Sequence, residues 1–276
     1  MKIIGILNIT PDSFYDGGRY FKIDDALKHV EKLINEGADI IDVGGESSRP
    51  GSIPVSVEEE LSRVIPVIKE IKKRWQNVVL SIDSYKYEVV KQALENGVEI
   101  VNDIYALNYS PAIVDLLKTY PTTKIILMHM KGTPQTMQLN PQYPAGVISE
   151  IKEFFIERVK FLLEHEIDIK RVILDPGIGF GKTTQHNLEI LKNLKELKQL
   201  TINGKNFTFD ILIGLSRKSF IGRILGSEEN PLPPEERYEA TVALHSYCIL
   251  QEVDYLRVHD VKATKDALKV LSLLKS

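Results

Sequence analysis

Short apolar runs alternate with amphipathic stretches along nearly the whole chain. The runs stay apolar throughout, which is typical of strands buried on both faces of a parallel sheet. Eight such runs occur, at 2–7, 38–43, 78–83, 99–103, 124–128, 171–175, 210–216 and 254–258. Apolar residues at three- and four-residue spacing predict helices between them, at 24–36, 57–73, 86–96, 111–118, 147–165, 185–198, 218–225 with 235–250, and 262–274.

The number and order of these elements favour one fold of the α/β class. Eight strands that are each followed by a helix match a (β/α)8 TIM barrel. A doubly wound sheet has about six strands, so two of the strand–helix units would remain unassigned in that fold. We therefore predict a single barrel domain over residues 1–276. The segments after strands 1, 2, 5 and 7 are long or rich in Gly and Pro, and enzymes with this fold carry their chemistry on that side of the barrel.

Polar residues stand at the carboxyl end of nearly every predicted strand. They are Asn8, Asp42, Asp83, Asn102, His129, Asp175, Lys218, Arg257 and His259. Any one of them could cap a helix or pair with a neighbouring charge, and His129 is ambiguous. Together, however, so many acids and amides beside buried strands indicate a compensating ligand.

The residue types narrow the chemistry of that ligand. Carboxylates and an amide suit the edge of a flat heterocycle that carries an amino group and ring N–H donors. Four side chains offer positive charge to an anionic arm: Arg49, Lys218, Arg257 and His259. The segment GIGFGKT at 177–183 is not a phosphate loop, because Pro176 stands where glycine is required. Phe180 in that segment either forms an aromatic wall of the site or tucks under the loop.

Composition excludes several other classes of protein. The 35 Lys and Arg nearly balance the 38 Asp and Glu, and no block of like charges stands out, so neither nucleic acid nor a membrane is an expected partner. No apolar run approaches the length of about 20 residues that spans a bilayer, and we expect a cytoplasmic protein. The single cysteine, Cys248, excludes an internal disulfide framework and a Cys-rich zinc site, and we expect it in the core.

Seven segments resemble the strand-end signatures of the dihydropteroate synthase family, in that family's order. They are GILNITPDSFYDGG at 5–18, DVGGESSRPG at 42–51, SIDSYK at 81–86, ND at 102–103, LDPGIGFGK at 174–182, GLSRKSFIG at 214–222 and RVHDV at 257–261. The resemblance implies that p-aminobenzoate displaces pyrophosphate from 6-hydroxymethyl-7,8-dihydropterin pyrophosphate and gives 7,8-dihydropteroate. It also implies a homodimer and sulfonamides as competitors.

The resemblance further implies a role for each matching residue. It places Asp83, Asn102, Asp175 and Lys218 around the pterin, and Ser48, Arg257 and His259 near the pyrophosphate. Asn8 would contact Mg²⁺, and the loops at 10–22 and 44–54 would form the p-aminobenzoate pocket beside Pro50, Phe180 and Ser219. We count Asp42 and Arg49 among the substrate-binding residues, and we predict catalytic roles for Asp83, Lys218 and Arg257.

Three residues depart from the family's usual pattern. Ser48 stands where Thr is common, while Tyr15 and Tyr105 stand where small residues are usual. Ser48 keeps the hydroxyl, so we expect the phosphate contact to survive. Two alternatives stay open: a pterin-dependent methyltransferase, which would have no pyrophosphate to hold, and a non-catalytic pterin-binding paralogue, which would be expected to lack loop residues that are present here.

Overall fold

The computed structural model of the protein describes residues 1–10 and 19–274. The strands are β1 (Lys2–Asn8), β2 (Ile40–Gly44), β3 (Val79–Asp83), β4 (Ile100–Asp103), β5 (Lys124–Met128), β6 (Val172–Asp175), β7 (Gln199–Ile202), β8 (Lys205–Thr208), β9 (Asp210–Ile213) and β10 (Tyr255–Val258). Eight of them close into a barrel in the order β1-β10-β9-β6-β5-β4-β3-β2, and all pairs in it are parallel. The predicted TIM barrel is therefore confirmed.

Helices follow the barrel strands and cover the outside of the barrel. They are α1 (Arg19–Asn35), α2 (Val57–Arg74), α3 (Tyr87–Glu95), α4 (Ile113–Thr119), α5 (Val147–Glu164), α6 (Thr184–Lys192), α7 (Leu194–Leu197), α8 (Ser219–Leu225), α9 (Tyr238–Leu250) and α10 (Val261–Leu274). The start of α2 shows why its sequence forms a helix there: the Ser56 hydroxyl accepts the Glu59 N–H at 3.1 Å. Acidic residues fill its first turn and basic residues its last, which complements the helix dipole.

The inside of the barrel is filled by side chains below the carboxyl ends of the strands. A separate apolar cluster packs there, consisting of Ile4, Ile40, Ile100, Ile126, Ile173, Leu212 and Tyr255. The larger core lies between the strands and the helices, and it includes Cys248, as expected from the sequence. Because these side chains pack the interior below, the space for a ligand lies at the rim.

Three features differ from the prediction by more than small shifts at the ends of elements. The predicted helix at 185–198 is divided at Asn193, and α1 begins five residues before the predicted start. An antiparallel hairpin, β7–β8, lies outside the barrel and was not predicted. Its turn residues Asn203 and Gly204 both have positive φ, which is the signature of a tight two-residue hairpin turn. Within the described ranges, no helix combines the length and the apolar character needed to cross a membrane.

Candidate active site

An ion-paired cluster occupies the rim at the carboxyl ends of β2, β3, β4 and β10. Arg257 Nε donates to Asp42 Oδ2 at 2.6 Å, and Arg257 Nη2 donates to Asp83 Oδ2 at 2.7 Å. Asn102 Nδ2 donates to the same oxygen of Asp42 at 3.1 Å. Parallel pairing brings these strand ends to one edge, so residues that are distant in sequence meet there.

Burial and charge oppose each other in this cluster. Burial raises the pKa of Asp83, while the positive charge of Arg257 partly offsets that effect. Burial disfavours the charge on Arg257, but Asp42 and Asp83 outweigh it and raise its pKa. We infer that Arg257 stays charged, and that its charge limits the upward shift in the pKa of Asp83 without cancelling it.

Asp42 and Asp83 differ in their access to the rim. The side chain of Asp42 is 1% exposed, whereas that of Asp83 is 13% exposed. In the structure Asp42 holds Arg257 and Asn102 in place, and its other carboxylate oxygen has no hydrogen-bond partner among the described residues. A direct contact between Asp42 and substrate stays a prediction.

A second group of site residues comes from β6, the loop that follows it and the start of α8. Asp175 Oδ1 accepts the Gly177 N–H at 2.8 Å, and burial raises the pKa of this carboxyl while Lys218 opposes the shift. Lys218 Nζ lies 4.4 Å from the centre of the Phe180 ring and donates to the carbonyl oxygen of Ile178. Burial lowers the pKa of Lys218 to about 8, and Asp175 acts in the opposite direction. Phe180 therefore lies beside the charged site and can form its wall.

Loop 176–183, which follows β6, is fixed against the end of β5. A Cβ on Gly177 would lie 2.0 Å from the carbonyl oxygen of His129, and φ is +67° there, so the close approach requires glycine. Lys182 Nζ lies 3.0 Å from His129 Nδ1 and donates to the Phe180 carbonyl oxygen at 2.9 Å. Burial lowers the pKa of Lys182 and of His129. The positive charge of Lys182 lowers the pKa of His129 further. His129, ambiguous from the sequence, thus serves to hold this loop.

Loop 45–56, between β2 and α2, carries Ser48, Arg49 and Pro50. Arg49 and Pro50 are exposed, and Ser48 is half-buried. The tip of the loop contacts the segment between β5 and α5, because the Gly51 N–H donates to the Pro134 carbonyl oxygen at 3.0 Å. The loop therefore extends over the rim while its tip is attached on the far side.

The two ends of loop 45–56 are joined by a buried lysine. Lys86 Nζ donates to Glu46 Oε2 at 2.7 Å, to Glu60 Oε2 at 2.7 Å and to the Val55 carbonyl oxygen at 2.6 Å. Glu46 Oε2 also accepts the Val55 N–H at 2.9 Å. Sequence reasoning missed this arrangement, which we call the Lys86 clip. The signal was present, because Lys86 closes the SIDSYK segment directly after β3.

The loops after β9 and β10 are also tied together. Arg217 Nε and Nη2 donate to the two oxygens of Asp260 at 3.0 and 2.7 Å. The His259 N–H donates to Ser216 Oγ at 3.4 Å. Partial removal from water lowers the pKa of His259, and the positive charges of Arg257, Arg217 and Arg49 add to that effect. The negative charge of Asp260 acts in the opposite direction, so the positive charge near His259 is partly compensated.

The remaining predicted residues lie at the same rim or outside the described ranges. Ser219 is half-buried in the first turn of α8, next to Lys218. Tyr105 packs edge-on against Tyr85, with ring centres 4.7 Å apart. Tyr15, and most of the loop at 10–22, lie outside the described residues.

Asn8 is the last residue of β1, and its side chain lies near that of Asp83. A Cβ on Gly44 would lie 3.6 Å from both Asn8 Oδ1 and Asp83 Oδ2, so these two oxygens border the same space. Over residues 1–10 and 19–274, no group of three or more His, Cys, Asp or Glu side chains could hold a metal ion by itself. A single amide oxygen suits Mg²⁺ if substrate phosphates and water supply most of its ligands.

Comparisons with known proteins agree with this geometry. A family model described as Pterin binding enzyme matches residues 4–259. Dihydropteroate synthase of Escherichia coli strain K12 is 42% identical over 269 residues, covering 98% of this chain and 90% of that protein. The Yersinia pestis dihydropteroate synthase, solved with a sulfonamide drug complex, has a TM-score of 0.87 at 37% identity, covering 99% of this chain and 94% of its own. The Xanthomonas albilineans dihydropteroate synthase, solved with 4-aminobenzoic acid, has a TM-score of 0.87 at 38% identity, covering 100% and 93%. This chain belongs to the pterin-binding enzyme family and, within it, to the dihydropteroate synthases, which are transferases.

Proposed function

We propose that this chain condenses 6-hydroxymethyl-7,8-dihydropterin pyrophosphate with p-aminobenzoate to give 7,8-dihydropteroate and pyrophosphate. The main support is the cluster at the rim, where Arg257 pairs with Asp42 and Asp83 and Asn102 donates to Asp42. Asp175 and Lys218 lie close enough to interact with the charge of Arg257. Such a site offers acceptors to the N–H edge of a pterin and positive charge to an anionic arm.

Each residue type has a separate task in this proposal. Asp175 and Asn102 bind the pterin edge and ring, and Lys218 lies over the pocket with Phe180. The pyrophosphate arm is held by Ser48, Arg49, Arg257 and His259. Pro50, Phe180 and Ser219 border the space for p-aminobenzoate.

The reaction needs no nucleophilic side chain. The bond between the exocyclic methylene carbon and the pyrophosphate oxygen breaks, and its electron pair leaves with pyrophosphate. The amine nitrogen of p-aminobenzoate forms the new bond to carbon and releases a proton. Asp83 stabilises positive charge that develops on the dihydropterin, so positioning and electrostatics carry the catalysis.

We propose that Mg²⁺ assists this reaction and that Asn8 supplies one protein ligand. When bound, the ion neutralises charge on the leaving pyrophosphate. The support in this chain is the amide oxygen of Asn8, which borders the same space as Asp83 Oδ2.

Turnover with purified substrates tests the proposal directly. We expect dihydropteroate to form from the pterin pyrophosphate and p-aminobenzoate with Mg²⁺ present, and chelation of the metal to stop it. Absence of product under these conditions would refute the synthase activity and favour a non-catalytic pterin-binding protein. Methyl transfer from a methylated folate would instead favour a methyltransferase. Full activity after chelation would remove Asn8 from metal binding.

The pKa of Lys218 gives the proposal a pH dependence. Because burial lowers this pKa to about 8, the side chain loses its positive charge as the pH rises through that value. We expect kcat/KM for the pterin pyrophosphate to fall above about pH 8, since this ratio reports groups of the free enzyme. Lys218→Arg should move the fall to higher pH, because a guanidinium stays charged. Identical alkaline limbs in the two proteins would contradict the assignment.

We also propose a cytoplasmic homodimer that sulfonamides inhibit by competing with p-aminobenzoate. Exposed apolar side chains on α9 and α10 support the dimer, namely Leu250, Val270, Leu273 and Leu274. The sulfonamide complex of the Yersinia pestis relative supports the competition.

A further inference from the structure

The segment between β5 and α5 contains a compact turn at residues 132–139, which we call the latch segment. The Thr136 N–H and the Met137 N–H both donate to the Thr133 carbonyl oxygen, at 2.9 and 2.7 Å. The Thr133 N–H donates to Thr136 Oγ1 at 3.0 Å. Met137 is 2% exposed, and Pro134 is also buried. The segment is therefore anchored by its own hydrogen bonds and by a buried side chain.

One side of the latch segment holds the tip of loop 45–56. Besides the bond between the Gly51 N–H and Pro134, Gln135 Nε2 donates to the Ser52 carbonyl oxygen at 2.8 Å. Gln135 itself is exposed, so its side chain has no packing role that would explain this position. The two bonds fix residues that directly follow Pro50.

The other side of the latch segment holds loop 176–183. Gln138 Nε2 donates to the Gly179 carbonyl oxygen at 2.8 Å, one residue before Phe180. Farther along the same connection, Tyr143 Oη donates to the Gly181 carbonyl oxygen at 2.7 Å, one residue after Phe180. Phe180 is thus bracketed by two hydrogen bonds from the connection between β5 and α5.

We propose that the latch segment sets the distance between Pro50 and Phe180, with Gln135 and Gln138 as positioning residues. The two glutamines reach backbone carbonyls on opposite loops from one rigid turn. The turn therefore adds one hydrogen bond beside Pro50 and one beside Phe180, in addition to the bond from Lys182 to the Phe180 carbonyl oxygen. The part of this inference that concerns p-aminobenzoate rests on the proposed function, because Pro50 and Phe180 are the expected walls of that pocket.

Gln135→Met tests the inference, because it keeps the length of the side chain and removes the donor. A side-chain hydrogen bond of ordinary strength corresponds to about a fivefold change in an equilibrium constant. We expect amide hydrogen exchange at residues 47–54 to become about fivefold faster. KM for p-aminobenzoate should rise by a similar factor, about fivefold, with kcat and KM for the pterin pyrophosphate unchanged.

The matched control is Gln142→Met. Gln142 lies on the same connection and is exposed, but its side chain donates within that connection, to Asn140 Oδ1 at 2.6 Å. We expect no change in exchange at 47–54 and no change in KM. A second variant, Gln138→Met, should speed exchange at 177–181 and leave 47–54 as in the parent protein.

The exchange measurement requires no substrate, so it separates this inference from the proposed function. Unchanged exchange at 47–54 in Gln135→Met would overturn the latch, whatever the protein catalyses. Faster exchange with an unchanged KM for p-aminobenzoate would overturn the positioning role. If the parent protein shows no turnover while the exchange result is as expected, the proposed function fails and the attachment of the loop stands.

Discussion

Asp83→Asn should lower kcat by about 10²–10³ and leave KM for the pterin pyrophosphate nearly unchanged. The substitution keeps the shape of a side chain that ends β3 and accepts from Arg257 at 2.7 Å, but it removes the negative charge. If positive charge builds on the pterin as pyrophosphate departs, the variant binds substrate normally and stabilises the transition state poorly. Steady-state kinetics with each substrate varied in turn would measure both constants.

Asp103→Asn is the matched control for that experiment. Asp103 follows Asn102 on the next strand and is also buried, yet its oxygens accept backbone N–H groups from Tyr105 and Leu107, both at 2.8 Å. Burial raises its pKa to about 6, and these N–H groups oppose the shift. We expect Asp103→Asn to affect stability more than kcat. A rise in KM with normal kcat in Asp83→Asn would show that Asp83 acts in ground-state binding.

Lys86→Met should lower the free energy of unfolding by about 3–5 kcal/mol, because it leaves buried carboxylates without their cation. The side chains of Lys86 and Glu60 are 7% and 1% exposed, so water cannot replace the missing partner. Chemical denaturation of the two proteins would measure the difference. Lys262→Met is a suitable comparison, since Lys262 pairs with Asp266 on the surface, where water screens the pair, and its loss should change the free energy of unfolding little.

The pH dependence of that loss identifies its cause. Burial raises the pKa of Glu60 even with Lys86 present, which means that the folded protein holds a proton on this group more readily than the unfolded chain does. The penalty for the ionised form therefore shrinks as the pH falls toward the usual range of a carboxyl group. We expect the loss in Lys86→Met to be smaller at about pH 5 than at pH 7. A pH-independent loss would point to packing of the lysine stem instead.

The barrel could be predicted from the sequence because buried parallel strands leave an unmistakable apolar pattern. The run at 124–128 and the strand Lys124–Met128 coincide, and no bound of the other barrel strands differs from its prediction by more than three residues. The hairpin β7–β8 escaped prediction because its alternating pattern lies directly after a helical one. The Asn203–Gly204 pair was the available signal.

The centre of the site could be anticipated for a topological reason. In a barrel, the ends of all parallel strands meet at one rim, so Asp42, Asp83, Asn102 and Arg257 had to converge. The loop contacts could not be anticipated in this way. Gln135 reaches Ser52 across 83 residues through a backbone carbonyl, and no periodic pattern reports such a bond. Lys86 likewise looks like a surface lysine until the loop around it is placed.

Pairing of β1 with β10 makes the barrel depend on the order in which the ribosome delivers the chain. Lys2 lies beside Tyr255, and Asp42 meets Arg257 across 215 residues. At about 5–20 residues per second, synthesis of that interval takes roughly 10–40 s. During that interval the edge of β1 that pairs with β10 has no partner strand, and the Asp42 carboxylate has no guanidinium to pair with. The barrel cannot close before β10 is synthesised, so the pairing of β10 with β1 and β9 completes the sheet, and an edge strand left unpaired until then could pair with another chain.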